Sequence, residues 1–392
     1  MTVRLTASSK AVASLGFVLT FGIPAAATAD HVPDNLPFET LITTPLVVEG
    51  LTGDRFGNLY TPGRQPGVGN PCPIWRVNRE NPSLVPVGFI PAPDSGQCSP
   101  SGLTFDQKGD LFVSEGDKVF TFTPNSENPP EADVYATGVP GTNGVAFDRH
   151  GNLWTGDGTT GQGRVWKVPP GGGEGIEVFR VQPMANEVNL VNGVGGVGRD
   201  VRTLPPGTIT VTPTSRNAAN TAGSQPLVAN GLIFNQRGDL FIADTARGAI
   251  WRVQFDPHGN LRSNQVGCDT TFTDNTLCLD NVLVTHPYLE GADGIDLDRS
   301  GNIWVSVNER NSMVVVTRTG EVIEVFRNEP NAITQLRNDG VLEFPTSPFV
   351  LDRHVCTANS DGGRRDNAPN SAGEIKPAGP DRGKVSCASL RH

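Results

Sequence analysis

Gly291-Ala292-Asp293-Gly294-Ile295-Asp296-Leu297-Asp298-Arg299-Ser300-Gly301-Asn302-Ile303-Trp304 is the clearest copy of a stretch that the chain carries five times. Each copy reads as an oxygen-bearing residue, usually a glycine next, an alternating apolar run, a turn glycine followed by Asn or Asp, and two apolar residues. The turn glycines are Gly57, Gly109, Gly151, Gly238 and Gly301. Eight residues before them stand Glu49, Ser101, Asn143, Asn230 and Asp293, respectively. A constant offset across strand and turn puts the same point of every copy at the same place in its unit. If the units close into a ring, five oxygen-bearing side chains converge on one axis.

Working outward, each copy is followed by further short apolar runs. After Asn143 come Leu153-Trp154, then Val165-Trp166-Lys167-Val168, then Ile176-Glu177-Val178-Phe179. Each unit thus offers four short strands, and the Gly-Asn and Gly-Asp pairs supply the tight turns between the first two. Four strands per repeat, recurring every 40–50 residues or so, is the pattern of a β-propeller blade. One such sheet cannot bury both faces alone; stacking blades round an axis buries them and leaves few exposed edges. Trp75, Trp166 and Trp251 recur on the third strands and are expected in the core between blades.

The turn glycines are 52, 42, 87 and 63 residues apart. The long gap contains a stretch, 183–226, rich in Gly, Asn, Thr and Pro and lacking the repeat, which reads as a surface insertion. A sixth unit lacks the turn glycine and runs from Leu342 to Leu351, then from Val355 to Ala358. The expected fold is all-β, a six-bladed β-propeller of four-stranded antiparallel blades over 30–355. Residues 30–45 form a Pro-containing lead-in, and 356–392 a polar, irregular tail clasped by a Cys356–Cys387 disulfide.

Arg4 and Lys10, then the apolar run Ala11–Ile23, then Ala27-Thr28-Ala29, fit a cleaved signal peptide over 1–29. The apolar run is too short to span a bilayer. Six cysteines follow the expected cut, an even number that reads as disulfides in an exported chain. Their order suggests Cys72–Cys98, Cys268–Cys278 and Cys356–Cys387, although six cysteines allow fifteen connectivities. A secreted or periplasmic location follows, with no membrane association after cleavage. The formal charge is −10, and losing residues 1–29 leaves 29 basic against 41 acidic residues, near −12. Such a balance argues against a nucleic-acid partner, which needs a basic footprint. A monomer is expected.

Glu49, Asn143, Asn230 and Asp293 carry the chemistry of the proposed axis. Calcium takes six to eight oxygens from carboxylates, amide carbonyls and water. Two carboxylates and two amides give four protein ligands and a formal charge of −2, which balances a divalent ion and leaves positions for water and substrate. The absence of His and Cys from the set disfavours zinc, copper and iron. Asn, Asp and Ser before Gly are also common turn formers, and for Ser101 that reading is preferred. For the other four, carboxylates converging on a buried axis need a counter-charge. Glu115, Asp157 and Asp244, each six residues past a turn glycine, read as turn caps. His286 and His150 read as structural and exposed, respectively.

The pairs Glu49-Gly50, Asn143-Gly144, Asn230-Gly231 and Asp293-Gly294, each opening a blade, resemble the senescence-marker-protein/gluconolactonase/luciferin-regenerating-enzyme family over roughly residues 45–352. That resemblance implies a six-bladed propeller with a divalent cation, usually calcium, on its axis, hydrolysing sugar lactones and related esters. It implies Glu49, Asn143, Asn230 and Asp293 as metal ligands, Asp293 as the catalytic carboxylate and a small-molecule lactone or ester as substrate. The insertion, the signal peptide, the disulfide-bearing tail and the turn-less sixth unit depart from the family's pattern. In such a site the metal would polarise the lactone carbonyl, and Asp293 would take a proton from water or attack directly. A metal-bound carboxylate is a weak base, which counts against the water-activating version. The second reading is a non-catalytic propeller that binds a ligand or protein on its loop face around a structural metal; fold alone does not separate the two.

Overall fold

The structure is a computed structural model that describes residues 32–94, 96–160, 162–182, 229–245, 247–262, 274–289, 291–328, 340–351, 353–360 and 382–390. The expected signal peptide over 1–29 and the expected insertion over 183–226 lie outside the described residues.

The strands form six four-stranded antiparallel blades, each numbered here from its inner strand outward. Blade 1 is Thr52–Gly53, Leu59–Pro62, Cys72–Val77 and Leu84–Ile90. Blade 2 is Leu103–Phe105, Leu111–Glu115, Lys118–Phe122 and Asp133–Thr137. Blade 3 is Thr142–Phe147, Leu153–Asp157, Arg164–Val168 and Ile176–Arg180. Blade 4 is Ala229–Phe234, Leu240–Asp244, Ala249–Phe255 and Val282–Thr285. Blade 5 is Ala292–Leu297, Ile303–Val307, Ser312–Val316 and Val322–Arg327. Two short strands lie outside this scheme: Gly173–Glu174 pairs with the edge of blade 2, and Leu261–Arg262 with the end of blade 4's third strand.

Blade 6 departs from the sequence reading. Its first two strands, Pro345–Leu351 and His354–Asn359, follow the expected sixth unit. The third is Gly383–Ser389, inside the stretch read as an irregular tail, and the fourth is Phe38–Thr44, inside the lead-in. The expected boundary at residue 355 therefore cuts through a blade. A polar stretch separates the second and third strands, and no turn glycine marks the unit, so the repeat pattern could not place them. Pairing an N-terminal strand with a C-terminal one closes the ring non-covalently.

Turn chemistry explains why the first two strands of each repeat form a hairpin. The turn glycines have φ of +85, +95, +80, +87 and +81°, where a side chain is strained. Three residues before each stands Asp54, Asp106, Asp148, Asn235 or Asp298. The side-chain oxygen of each accepts backbone N–H groups of the turn, as Asp148 does from His150 and Asn152 at 2.8 and 3.0 Å. The other oxygen of Asp148 and of Asp298 accepts an indole N–H from the next strand, from Trp154 and Trp304. This Asx cap is the part of the repeat that the offset argument did not use.

The core is six clusters, one at each blade-to-blade contact. Trp251 and Phe179 fill the contact between blades 3 and 4, Trp166 that between 2 and 3, and Trp75 that between 6 and 1. The three tryptophans are buried, as expected of third-strand core residues. Cys72–Cys98 ties the third strand of blade 1 to the segment that leads into blade 2. Cys356–Cys387 joins directly paired residues of blade 6, so it staples two strands rather than clasping a tail. Cys278 is disulfide-bonded, and Cys268 lies outside the described residues.

At the axis the inner strands approach until backbone touches backbone. A methyl group on Gly50 would sit 2.2 Å from the Ser101 carbonyl, and one on Gly102 2.5 Å from that of Asn143. On Gly144 it would lie 2.7 Å from the Asn230 carbonyl, on Gly231 2.6 Å from Gly294 Cα, and on Gly294 2.4 Å from the Thr346 carbonyl. Thr346 then donates its hydroxyl to the Glu49 carbonyl and closes the circle. The second residue of each repeat is glycine because no Cβ fits there. Gly231→Ala should therefore destabilise the fold by about 1–3 kcal/mol, the usual cost of overpacking, as a lower denaturant midpoint with an unchanged slope. Wild-type stability in this variant would remove the close-approach account.

One inter-blade contact runs through a carboxyl group. Asp296, on the inner strand of blade 5, accepts the Val350 N–H of blade 6 at 2.7 Å and its neighbour Leu297 N–H at 2.8 Å. Burial pushes its carboxyl up to about 7, against the pull of those two donors. A folded-state value above the ordinary carboxylate range means stability that is full below about pH 4 and lost as pH rises through about 7. Unfolding free energy measured from pH 4 to 8 should decline in the wild type relative to Asp296→Asn, by at most about 4 kcal/mol. Parallel profiles would show that the contact does not titrate.

Candidate axial site

Three of the axial residues sit where the inner strand slips register. The pairing of blade 3 skips between Thr142 and Val145, that of blade 4 between Ala229 and Leu232, and that of blade 5 between Ala292 and Ile295. Asn143, Asn230 and Asp293 occupy these bulges. A bulge leaves its extra residue out of the ladder and re-aims its side chain. Blade 6 has the same slip between Pro345 and Ser347, which makes Thr346 the sixth member of the ring. Glu49 and Ser101 lie just before the first strands of their blades. Glu49, Ser101, Asn143, Asn230 and Asp293 are all buried, at 7, 6, 8, 6 and 3% exposure. The glycine contacts arrange their backbones in one ring in chain order. The Thr346 hydroxyl is spent on the ring's own backbone, so its oxygen differs in role from the others.

The hydrogen bonds fix which atom each amide presents. Asn230 Nδ2 donates to Thr245 Oγ1 at 3.1 Å, and that hydroxyl donates its single proton to the Ala292 carbonyl at 2.6 Å. Nδ2 therefore has to be the atom facing Thr245, and the buried Asn230 Oδ1 is left without a donor. Asn308, at the end of blade 5's second strand, donates Nδ2 to Asp293 Oδ2 at 2.9 Å. A carboxylate accepts only, so this amide is oriented too, and the buried Asn308 Oδ1 accepts nothing. Asn143 lies over Gly158, where a Cβ would come within 2.5 Å of its Nδ2; the glycine makes its place. Glu49 faces Arg64, whose guanidinium is 2.9 Å from Oε2, yet Oε2 is buried and accepts no hydrogen bond.

The site is thus lined by acceptor oxygens that the described residues leave without donors. Burying an acceptor in this way costs a few kcal/mol unless something else satisfies it. No three His, Cys, Asp or Glu side chains come together as a metal cluster among the described residues; the axial set is instead two carboxylates with amides.

The acids next to the ring are structural. Asp157 accepts Thr160 N–H and pairs with Arg164 at 3.1 Å. Asp244 accepts Arg247 N–H and Trp251 Nε1–H, both at 3.0 Å; burial raises its carboxyl even so, with Arg247 opposing. Glu115 accepts Ser99 N–H at 3.4 Å, and burial raises it. His286 Nδ1 accepts Tyr288 N–H, and burial lowers the imidazole. His150 is exposed in its turn. Asn308 and Arg64 are the site residues that sequence reasoning missed. Both lie outside the repeated motif, and no offset pointed to them. A separate cavity of about 530 Å³ between blades 4 and 5 lies at the other end of the inner strands, with Asp296, Arg237 and Arg318 in its lining.

The SMP-30/Gluconolactonase/LRE-like region matches residues 76–336. No curated protein matches the chain. Among solved structures, a luciferin-regenerating enzyme superposes with a TM-score of 0.54 at 13% identity, over 90% of this chain and 95% of its own. The calcium-binding protein regucalcin from Agrobacterium tumefaciens gives 0.50 at 14%, over 91% and 96%. The PQQ-bound aldose sugar dehydrogenase from Streptomyces coelicolor gives 0.50 at 13%, over 91% and 99%. At such identities these structures share the fold, on which different chemistries have been built.

Proposed function

The chain belongs to the SMP-30/gluconolactonase/LRE-like family, and from that premise we propose that it is a metal-dependent hydrolase of a lactone or related ester, acting at the axial ring. The observation that carries the reading is the set of donor-less oxygens there, Asn230 Oδ1 and Glu49 Oε2 among them, beside the Asp293 carboxylate. Glu49, Asn143, Asn230 and Asp293 would hold the ion, most simply calcium, because the set is all oxygen and carries two formal negative charges. A divalent cation in that place supplies Lewis-acid polarisation of the scissile carbonyl and stabilisation of the oxyanion that develops on it.

The chain's own residues do the rest. Asn308 Nδ2 holds one oxygen of Asp293 and so sets the direction of the other. Asp293 takes the proton of the attacking water, or itself attacks the carbonyl and is released by water. The ring-opened hydroxyl leaves with the proton. The close-packed backbone ring holds these groups in fixed relation to one another. The cysteines in disulfides fit an oxidising compartment, and we place the protein outside the cytoplasm after removal of residues 1–29.

Asp293→Asn keeps the shape and one oxygen ligand while removing the charge and any basic or nucleophilic role. The variant should remain folded, bind calcium more weakly and lose at least about 10²-fold in kcat, on the scale of general-base catalysis. The measurement is calcium titration with hydrolysis of a lactone and ester panel, with and without chelator. Wild-type rates in Asp293→Asn would remove the catalytic role. Calcium binding without turnover of any ester would favour a binding propeller with a structural ion.

A further inference from the structure

Arg64 stands out at the axis because it brings a positive charge to the carboxylate expected to hold a cation. It lies in the segment between the second and third strands of blade 1, two residues beyond Pro62. Three backbone bonds hold that segment down: Gly63 N–H to Pro73 O at 2.9 Å, Arg64 N–H to Val47 O at 2.8 Å, and Gln65 N–H to Cys98 O at 3.0 Å. Val68 bridges to Gln97, and the Cys72–Cys98 disulfide fastens both sides. Arg64 is therefore anchored two residues from Glu49 along the Val47–Glu49 segment. Its guanidinium nitrogen reaches Glu49 Oε2 at 2.9 Å, with 18 and 10% of the two side chains exposed.

The contact has distance without hydrogen-bond alignment: Glu49 Oε2 lies 2.9 Å from the guanidinium yet accepts no hydrogen bond. The attraction is therefore mainly that of charge for charge, which a divalent ion makes more strongly at the same oxygen. Carboxylates at a buried axis need a counter-charge, and a tethered guanidinium supplies one that cannot diffuse away. A guanidinium and a divalent cation on one carboxylate repel each other.

Resting on the metal reading above, we infer that Arg64 is a built-in competitor for Glu49: it neutralises and positions the carboxylate when no cation is bound and is displaced from it when one binds. Its presence sets the cation affinity of the axis lower than the oxygen set alone would give.

The test is calorimetric titration of calcium chloride into metal-stripped protein, for wild type, Arg64→Met, Glu49→Gln and the double variant. Arg64→Met keeps the aliphatic stem and removes the charge; Arg64→Gln repeats the test should the first variant fold poorly. Both should bind calcium about tenfold more tightly than wild type, and the gain should vanish in the Glu49→Gln background. In chelator the same substitutions should lower the melting temperature, and added calcium should raise it by more than in wild type. Equal or weaker calcium binding in both charge-removed variants, with wild type binding normally, overturns the competition and leaves the metal reading intact. Absence of calcium binding in every protein overturns both.

Discussion

The close approach of inner strands round the axis is the constraint on which the rest of this protein depends. Five successive glycines are pressed against the carbonyl or Cα of the next blade at distances where no Cβ fits. That contact sets the blade spacing, and the spacing lets the tryptophan-bearing third strands meet their neighbours in the six core clusters. In blades 3, 4 and 5 it coincides with the register slips that take Asn143, Asn230 and Asp293 out of the hydrogen-bond ladder. The packing that stabilises the ring and the geometry that presents its oxygens are one feature. A substitution that loosens the ring should disturb the site in the same step.

The electrostatics are layered. Away from the axis, several acids are matched with cations: Asp157 with Arg164, Asp244 with Arg247, Glu324 with Arg310, Glu343 with Lys384. Buried pairs of this kind add little net stability, but removing one partner is costly because it strands the other. At the axis the pattern changes. Two oriented amides turn bare oxygens away from their own donors, and Glu49 has an ion-pair partner with poor alignment. The bare acceptors at the axis, Glu49 Oε2, Asn230 Oδ1 and Asn308 Oδ1, are oxygens whose burial costs free energy that a cation could recover.

Ring closure is the other structural demand. A propeller whose last blade came wholly from one terminus would hold its ends together only by packing. Here Phe38–Thr44 completes the sheet begun by Pro345–Leu351, His354–Asn359 and Gly383–Ser389, so the terminal segments unfold only if a blade loses an edge strand. The disulfide between Cys356 and Cys387 lies inside that blade. Cys72–Cys98 stabilises the junction of blades 1 and 2 and anchors the segment that carries Arg64. These two covalent links thus fall beside the ring's seam or beside its charged centre.

The sequence alone determined what repeats determine. An eight-residue offset from a turn glycine depends only on local strand and turn geometry, so it located the hairpins of five blades and Glu49, Asn143, Asn230 and Asp293 without any tertiary information. The third-strand tryptophans were legible for the same reason. The tertiary structure decided what depends on contacts between distant segments. It recruited the lead-in and the supposed tail into one blade, because a strand pairing across the whole chain leaves no local periodicity to read. It made Thr346 the sixth ring member, identified by the glycine it touches rather than by a turn. It brought Asn308 to Asp293 and Arg64 to Glu49, both as single side chains outside the repeat. Orientation was decided last: whether an amide presents oxygen or nitrogen to the axis depends on which hydroxyl proton is already committed elsewhere, and only the folded hydrogen-bond network fixes that.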